Sequence, residues 1–296
     1  MRFLVRWVVR MVAWSVALLL LTAVILIIQG HGLATRHLNS ELQPLRVAPD
    51  STRVARGRHL SEIRCAGCHA PDLSQPDVLS GGTENYLQIP GGPSLGTLVG
   101  PGLTPAGTLG HATDLEIARA IRQGISVHGD PLLVMPSPGF RAISDSDLAA
   151  LIAFLRTQPA VQHPLPQRRL NLLAYLVLGL HKFEDSVVPP VTWAVPDVPE
   201  GSPLVFGRYL VEYLGCRECH GPELRGAIPG QLAPRGPNLV GFAAAHDRTG
   251  FELAVRHGVK PAGPSMDPAL MPWTSYSRLT DAEVGAIYEF LHDGAH

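Results

Sequence analysis

Residues 11 to 28, MVAWSVALLLLTAVILII, form a run of eighteen apolar or small side chains without a charge. A run of that length predicts a helix able to cross a bilayer. Arg2, Arg6 and Arg10 precede it. The positive-inside rule then puts the N-terminus in the cytoplasm and the chain from about residue 30 onward outside. A cleaved signal peptide shares this layout, with Gly32-x-Ala34 as a small-residue site. The length of the apolar run favours a retained anchor over residues 1–30. A second apolar run, Leu170 to Leu180, is too short to span. Its pattern favours a helix buried between two domains, with a helix lying on the membrane surface as the alternative.

Beyond the anchor the apolar positions follow helical spacing, and they do so twice. GRHLSEIRCAGCHAPDL (57–73) aligns with GRYLVEYLGCRECHGPEL (207–224), which has one extra residue. GPGL (100–103) matches GPNL (236–239), and IARAIRQG (117–124) matches FELAVRHG (251–258). MPSPGFRAISDSDLAALIAFL (135–155) matches MPWTSYSRLTDAEVGAIYEFL (271–291) without a gap. Leu60 and Ile63, and then Leu210, Tyr213 and Leu214, predict a helix leading into each Cys pair. Leu148, Leu151, Ile152 and Leu155, and then Val284, Ile287, Tyr288 and Leu291, predict a closing helix with one apolar face. Thr280-x-x-Glu283 fits a capping box for the second copy, and Ser144-x-x-Asp147 is a weaker version. The opening and closing helices of each copy should cross. Two copies of about 100 residues mean two similar domains rather than a solenoid. The expected organisation is an anchor (1–30), a first domain (50–160), a linker with a short apolar helix (161–200) and a second domain (201–296). Within the linker, VVPPVTWAVPDVPEGSP (187–203) reads as extended chain.

Composition sharpens this. Glycine (30) and proline (27) are abundant and β-branched or aromatic runs are sparse, so the fold class is all-α, with short helices and long loops. The formal net charge of −1 excludes a broad basic nucleic-acid footprint. The four cysteines fall in two copies of one pattern, C-x-x-C-H, at 65–69 and 216–220. Disulfides, a zinc site or a thioredoxin-type dithiol are the other readings. None of them needs a histidine after each pair, and the pairs lie about 150 residues apart.

C-x-x-C-H is the signature of covalent haem attachment: two thiols bond the vinyl groups and the histidine ligates the iron. The pattern assigns Cys65, Cys68 and His69 to one haem c, and Cys216, Cys219 and His220 to a second. Met135 and Met271 each stand ten residues before the Asp that opens a closing helix, and each is followed by Pro. They are the expected distal ligands, and Met/His ligation raises the potential. Met266 ranks behind Met271 because it has no repeat counterpart. His128, His257, His111 and His246 are rivals at unmatched positions. Pro101 and Pro237 are expected to pack on the proximal histidines, with a neighbouring carbonyl accepting the other ring N–H. A plain turn proline is the alternative. Such irons carry electrons rather than bind oxygen.

On these residues the chain resembles the class I cytochrome c family. In particular it looks like the multihaem cytochrome c subunits of bacterial membrane-bound alcohol and sugar dehydrogenases, which carry three C-x-x-C-H motifs where this chain has two. The resemblance covers about residues 50–160 and 200–292. It implies short helices wrapped around each haem, with one haem edge exposed. The expected function is a single-pass bacterial inner-membrane electron carrier with its haem domains in the periplasm. Its partners would be redox proteins: a periplasmic dehydrogenase or quinol-oxidising complex on one side, a terminal oxidase or soluble cytochrome on the other. No catalysis of its own is expected. A dihaem enzyme of the peroxidase or thiosulfate-oxidising type is the alternative, and a redox sensor or assembly subunit is a third reading.

Overall fold

The computed structural model describes residues 2–40, 44–45, 47–48, 50–89, 91–135, 137–180, 189, 191–229, 235–261 and 263–294. Pro136 of the first Met-Pro pair, and residues 187, 188 and 190 of the proline-rich stretch, lie outside the described residues. The chain is mostly helical. α1 (Arg2–Thr35) contains the long apolar run and is long and apolar enough to cross a membrane.

The first repeat opens with α2 (Ser51–Leu60), whose Asp50 side chain accepts the Arg53 amide as N-cap. α2 continues through a π-helical turn, Ser61–Cys65, into the short α3 (Ala66–His69). After a long loop containing β1 (Gly96–Thr97) comes α4 (Asp114–Gln123), closed at its start by a Thr113/Glu116 capping box and at its end by Gly124 in the left-handed region. Then follow α5 (Ser137–Phe140) and α6 (Asp145–Arg156). β2 (Arg169–Leu170) pairs antiparallel with β1, Gly96 opposite Leu170, and leads into α7 (Leu172–Gly179).

The second repeat runs α8 (Pro203–Tyr213), α9 (Cys216–His220), α10 (Leu239–Ala245), α11 (Arg248–His257), α12 (Trp273–Tyr276) and α13 (Asp281–Glu289). Its extra residue is Gly215, at φ 72°, which breaks the helix between α8 and α9 where the first repeat carries its π-helical turn. A backbone position in that region favours glycine.

Each repeat is held by one close helix crossing. Gly57 of α2 lies against Ala150 of α6, so that a Cβ there would sit 1.9 Å from the Ala150 carbonyl oxygen. Gly207 of α8 meets Ala286 of α13 in the same way, also at 1.9 Å. Phe154 and Phe290 flank the two contacts, 2.9 and 2.8 Å from the same hypothetical methyls. Glycine and alanine thus let the backbones approach, and buried Leu60, Leu151, Leu210 and Ile287 fill in around them.

The two repeats share one apolar cluster and meet as an approximate two-fold pair. His59 of α2 bonds Glu283 on α13 (2.8 Å), and the aligned Tyr209 of α8 donates to Asp147 on α6 (2.7 Å). Glu283 and Asp147 are themselves aligned positions, the third residues of the closing helices. Arg56 forks onto Asp147 (2.8 and 2.9 Å) and lies 3.7 Å from Glu283. The Thr280/Glu283 capping box forms completely, whereas in the first repeat Ser144 caps the Asp147 amide and the Asp147 carboxylate is turned toward Arg56 and Tyr209.

The second apolar run departs from the expectation of a helix buried between the domains. α7 packs along the end of α1 instead. Gly30 of α1 abuts the Tyr175 carbonyl, and Gly179 of α7 abuts the Leu26 carbonyl, leaving room for no side chain at either place (Cβ clearances of 1.8 and 2.0 Å). Residues 191–202 carry no helix or strand. This stretch lies against the start of α6, where the Asp145 amide donates to the Val195 carbonyl (2.9 Å).

Candidate haem-binding sites

Each C-x-x-C-H segment sits at the end of an opening helix, so the fold delivers it to the same place in both repeats. In the first, the His69 Nδ1 lies 2.8 Å from the Pro101 carbonyl oxygen. In the second, the His220 Nδ1 lies 2.7 Å from the Pro237 carbonyl oxygen. The acceptor is the proline's own carbonyl rather than a neighbour's. With Nδ1–H donated, the other ring nitrogen, Nε2, keeps its lone pair free to ligate a metal. Burial holds both imidazoles below the ordinary histidine pKa, against the opposing pull of the proline carbonyls. That too favours the neutral, ligating form.

The glycines before the two prolines make these bonds possible. A Cβ at Gly236 would lie 2.5 Å from the His220 Nδ1, and one at Gly100 would lie 1.9 Å from the Cys68 carbonyl oxygen. Only a residue without a side chain lets the Gly-Pro strand close over the attachment turn. The Gly236 amide also donates to the Cys219 carbonyl (2.9 Å).

No disulfide links the four cysteines in this structure. Among the described residues no group of three or more His, Cys, Asp and Glu side chains is arranged to hold a metal ion by itself. Burial pushes the thiols up, Cys65 to about 11 and Cys216 to about 12. Neutral, part-buried thiols beside an imidazole ready to ligate fit a haem whose vinyl groups take up the sulfurs. Met135 and Met271 are half-buried and pack against the same apolar cluster as Cys65 and Cys216.

Of the rivals, His111, His128 and His257 are exposed. His246 bonds the Phe242 carbonyl (2.9 Å) and stacks on the Phe242 ring. Met266 does have a structural counterpart, contrary to the sequence alignment. Its amide donates to the Gly258 carbonyl (2.7 Å), as the Leu132 amide does to Gly124 (2.7 Å). Its equivalent is therefore an aliphatic residue, which leaves Met271 as the partner of Met135.

The family model for Cytochrome c matches residues 54–159. The chain carries a cytochrome c domain. Such a domain holds its haem c covalently, and the thiols, histidine and Gly-Pro strand of the first repeat fit that group. Similar proteins include the gluconate 2-dehydrogenase cytochrome c subunit of Pantoea cypripedii, 31% identical over 177 residues, which are 57% of this chain and 38% of the relative. The alcohol dehydrogenase (quinone) cytochrome c subunit of Gluconobacter oxydans (strain 621H) is 32% identical over 184 residues, 59% of this chain and 36% of the relative. The matches thus span well under half the length of these relatives.

Sequence reasoning missed Arg64. It precedes Cys65, pairs with Glu218 inside the other attachment segment (2.8 Å), and lies over the Phe140 ring at 5.5 Å. Its charge counteracts the burial that raises the pKa of all four thiols. The two attachment segments therefore share one part-buried cation. Their neighbours interlock as well. Phe140 of α5 packs edge-on against Tyr213 of α8 at 5.6 Å, and Tyr213 donates to the Leu60 carbonyl (2.9 Å). The only sequence signal was a cation at 64 where the second repeat has Leu214.

Proposed function

We propose that the chain is a membrane-anchored dihaem c-type cytochrome, carrying single electrons between a dehydrogenase and a downstream acceptor. The reading rests chiefly on the twice-built proximal arrangement, His69 on Pro101 and His220 on Pro237, each beside a Cys pair. When bound, each haem supplies a reversible one-electron iron couple. Cys65, Cys68, Cys216 and Cys219 would tie the two groups to the chain. His69, His220, Met135 and Met271 would supply the iron ligands, and thioether ligation would favour the reduced iron.

Residues 50–160 and 201–296 are then two cytochrome c domains in tandem. α1 spans the inner membrane once, and both domains lie in the periplasm. With Gly179 packed beside Leu26, the end of α7 dips into the outer face of the bilayer. The names of the relatives support a dehydrogenase as electron donor. A quinol-oxidising complex is the alternative donor, and an oxidase or soluble cytochrome the acceptor.

The test uses the matured full chain purified from detergent-solubilised membranes together with whatever copurifies. Adding sugar-acid or alcohol substrates should reduce both haems through a copurifying dehydrogenase. A high-spin signal from either haem with sustained peroxide turnover, and no reduction by any dehydrogenase substrate, would favour the peroxidase-type reading instead.

A further inference from the structure

The loop that ends in Met135 is fastened to the membrane helix. Arg168 bridges the two: one guanidinium nitrogen donates to the Ala34 carbonyl at the end of α1 (2.8 Å), the other to the Pro131 carbonyl (2.9 Å). The Leu38 amide donates to the Gly129 carbonyl (2.8 Å), and the His37 ring lies directly on Gly129. Ala34, Leu133 and Leu178 form a separate buried cluster, 1%, 6% and 2% exposed, with Val134 and Tyr175 packed around it. Residues 129–134 are thus stitched to residues 34–38 and to α7, immediately before Met135.

The second repeat braces its loop differently. The Trp273 ring covers Gly258, its indole N–H donates to the Met266 carbonyl (3.0 Å), and the Met266 amide closes the loop onto Gly258. The residue aligned with Trp273 is Ser137, which cannot supply such a ring. The first repeat keeps the amide closure, Leu132 onto Gly124 (2.7 Å), but among the described residues no indole covers it, and the end of α1 and α7 pack there instead.

We propose that the end of α1 and Arg168 are positioning elements for Met135, so that the anchor is a working part of the first haem site as well as a tether. The proposal rests on Met135 being an iron ligand. A thioether–iron bond holds only if the loop keeps its sulfur in place against the thermal motion of a segment without helix or sheet. The α1/α7 crossing at Gly30 and Gly179 supplies the rigid support. Cutting the chain near Gly32-x-Ala34 would remove it.

The experiment uses matured full-length protein in detergent and compares Arg168→Leu, Leu133→Ala and Met135→Ala with the parent. The readouts are the thioether–iron charge-transfer absorbance and the midpoint potentials of both haems. Met135→Ala should remove about half of the absorbance. Arg168→Leu and Leu133→Ala should weaken the same half. They should also shift the reduction equilibrium of one haem at least tenfold toward the oxidised form, which is about 59 mV for a one-electron couple, with the other haem unchanged as internal control. Arg168→Lys, which cannot span both carbonyls, should fall between. Absorbance and potentials untouched in both supporting variants, or lost equally at both haems, would overturn the brace while leaving the ligand in place. Full absorbance in Met135→Ala would overturn the ligand reading itself and the brace with it.

Discussion

Replacing Gly207 by alanine should loosen the second repeat through a single added methyl. That carbon would lie 1.9 Å from the Ala286 carbonyl oxygen, 2.5 Å from its carbonyl carbon and 2.8 Å from the Phe290 Cβ. Carbon–oxygen contacts settle near 3.3–3.6 Å, so α8 and α13 must part by more than about 1 Å. Gaps of about 0.5–1 Å forfeit roughly a quarter to a half of each dispersion contact they open. Phe206, Leu210, Val284, Ile287 and Leu291 all sit in the affected seam. Overpacking of this kind costs about 1–3 kcal/mol, and the better helix propensity of alanine returns roughly 0.5–1 kcal/mol. A net loss of up to about 2.5 kcal/mol, centred on about 1 kcal/mol, is expected. Denaturant unfolding of matured protein in detergent, followed by helical dichroism and haem absorbance, reads it directly. Gly57→Ala should lose a similar amount, since its methyl meets Ala150 at the same 1.9 Å. Gly201→Ala, with nothing within 4 Å, should leave the midpoint unchanged. Equal stability of Gly207→Ala and Gly201→Ala would refute the close-crossing argument.

Removing the shared cation with Arg64→Gln should lower the midpoint potential of both haems, because a nearby part-buried positive charge disfavours the oxidised iron. At an effective dielectric near 20 the effect is on the order of 1 kcal/mol per site, and potentiometric titration checks it. Met271→Ala should abolish about half of the thioether–iron absorbance, whereas Met266→Leu should leave the spectrum intact. Burial opposes ionisation of Glu283, but the His59 bond, the His59 charge, the Thr280 amide and Arg56 outweigh it and hold the carboxyl below the usual glutamate value. The unfolded chain therefore takes up this proton at a higher pH than the folded one. The stabilisation is complete above the ordinary value of 4.5 and is lost as pH falls through the lower folded pKa. Glu283→Gln should lower stability at pH 7, and its difference from the parent should shrink in acid unfolding curves.

The chemistry of the site was legible in the sequence because it is local. C-x-x-C-H keeps both thiols and the histidine within one turn, Thr280-x-x-Glu283 writes its own cap, and the apolar face of α6 repeats within twelve residues. The Met-Pro and Gly-Pro landmarks became readable because the chain states them twice. What escaped depends on residues far apart in sequence. Nothing around Leu170–Leu180 says that Gly179 will meet Leu26, since a small residue is informative only beside its partner. His59 with Glu283 and Tyr209 with Asp147 look like unrelated pairs until the repeats are seen to embrace across an approximate two-fold. The equivalence of Met266 and Leu132 rests on a backbone hydrogen bond that leaves no mark on residue identity.

Everything turns on two haem groups being bonded to this one polypeptide. Intact-mass measurement of the protein matured in a host able to attach haem c should give the chain plus two haems. Replacing Cys65 and Cys68 by alanine, or Cys216 and Cys219, should remove one haem in each case. A mass for the parent with one haem or none would contradict the account.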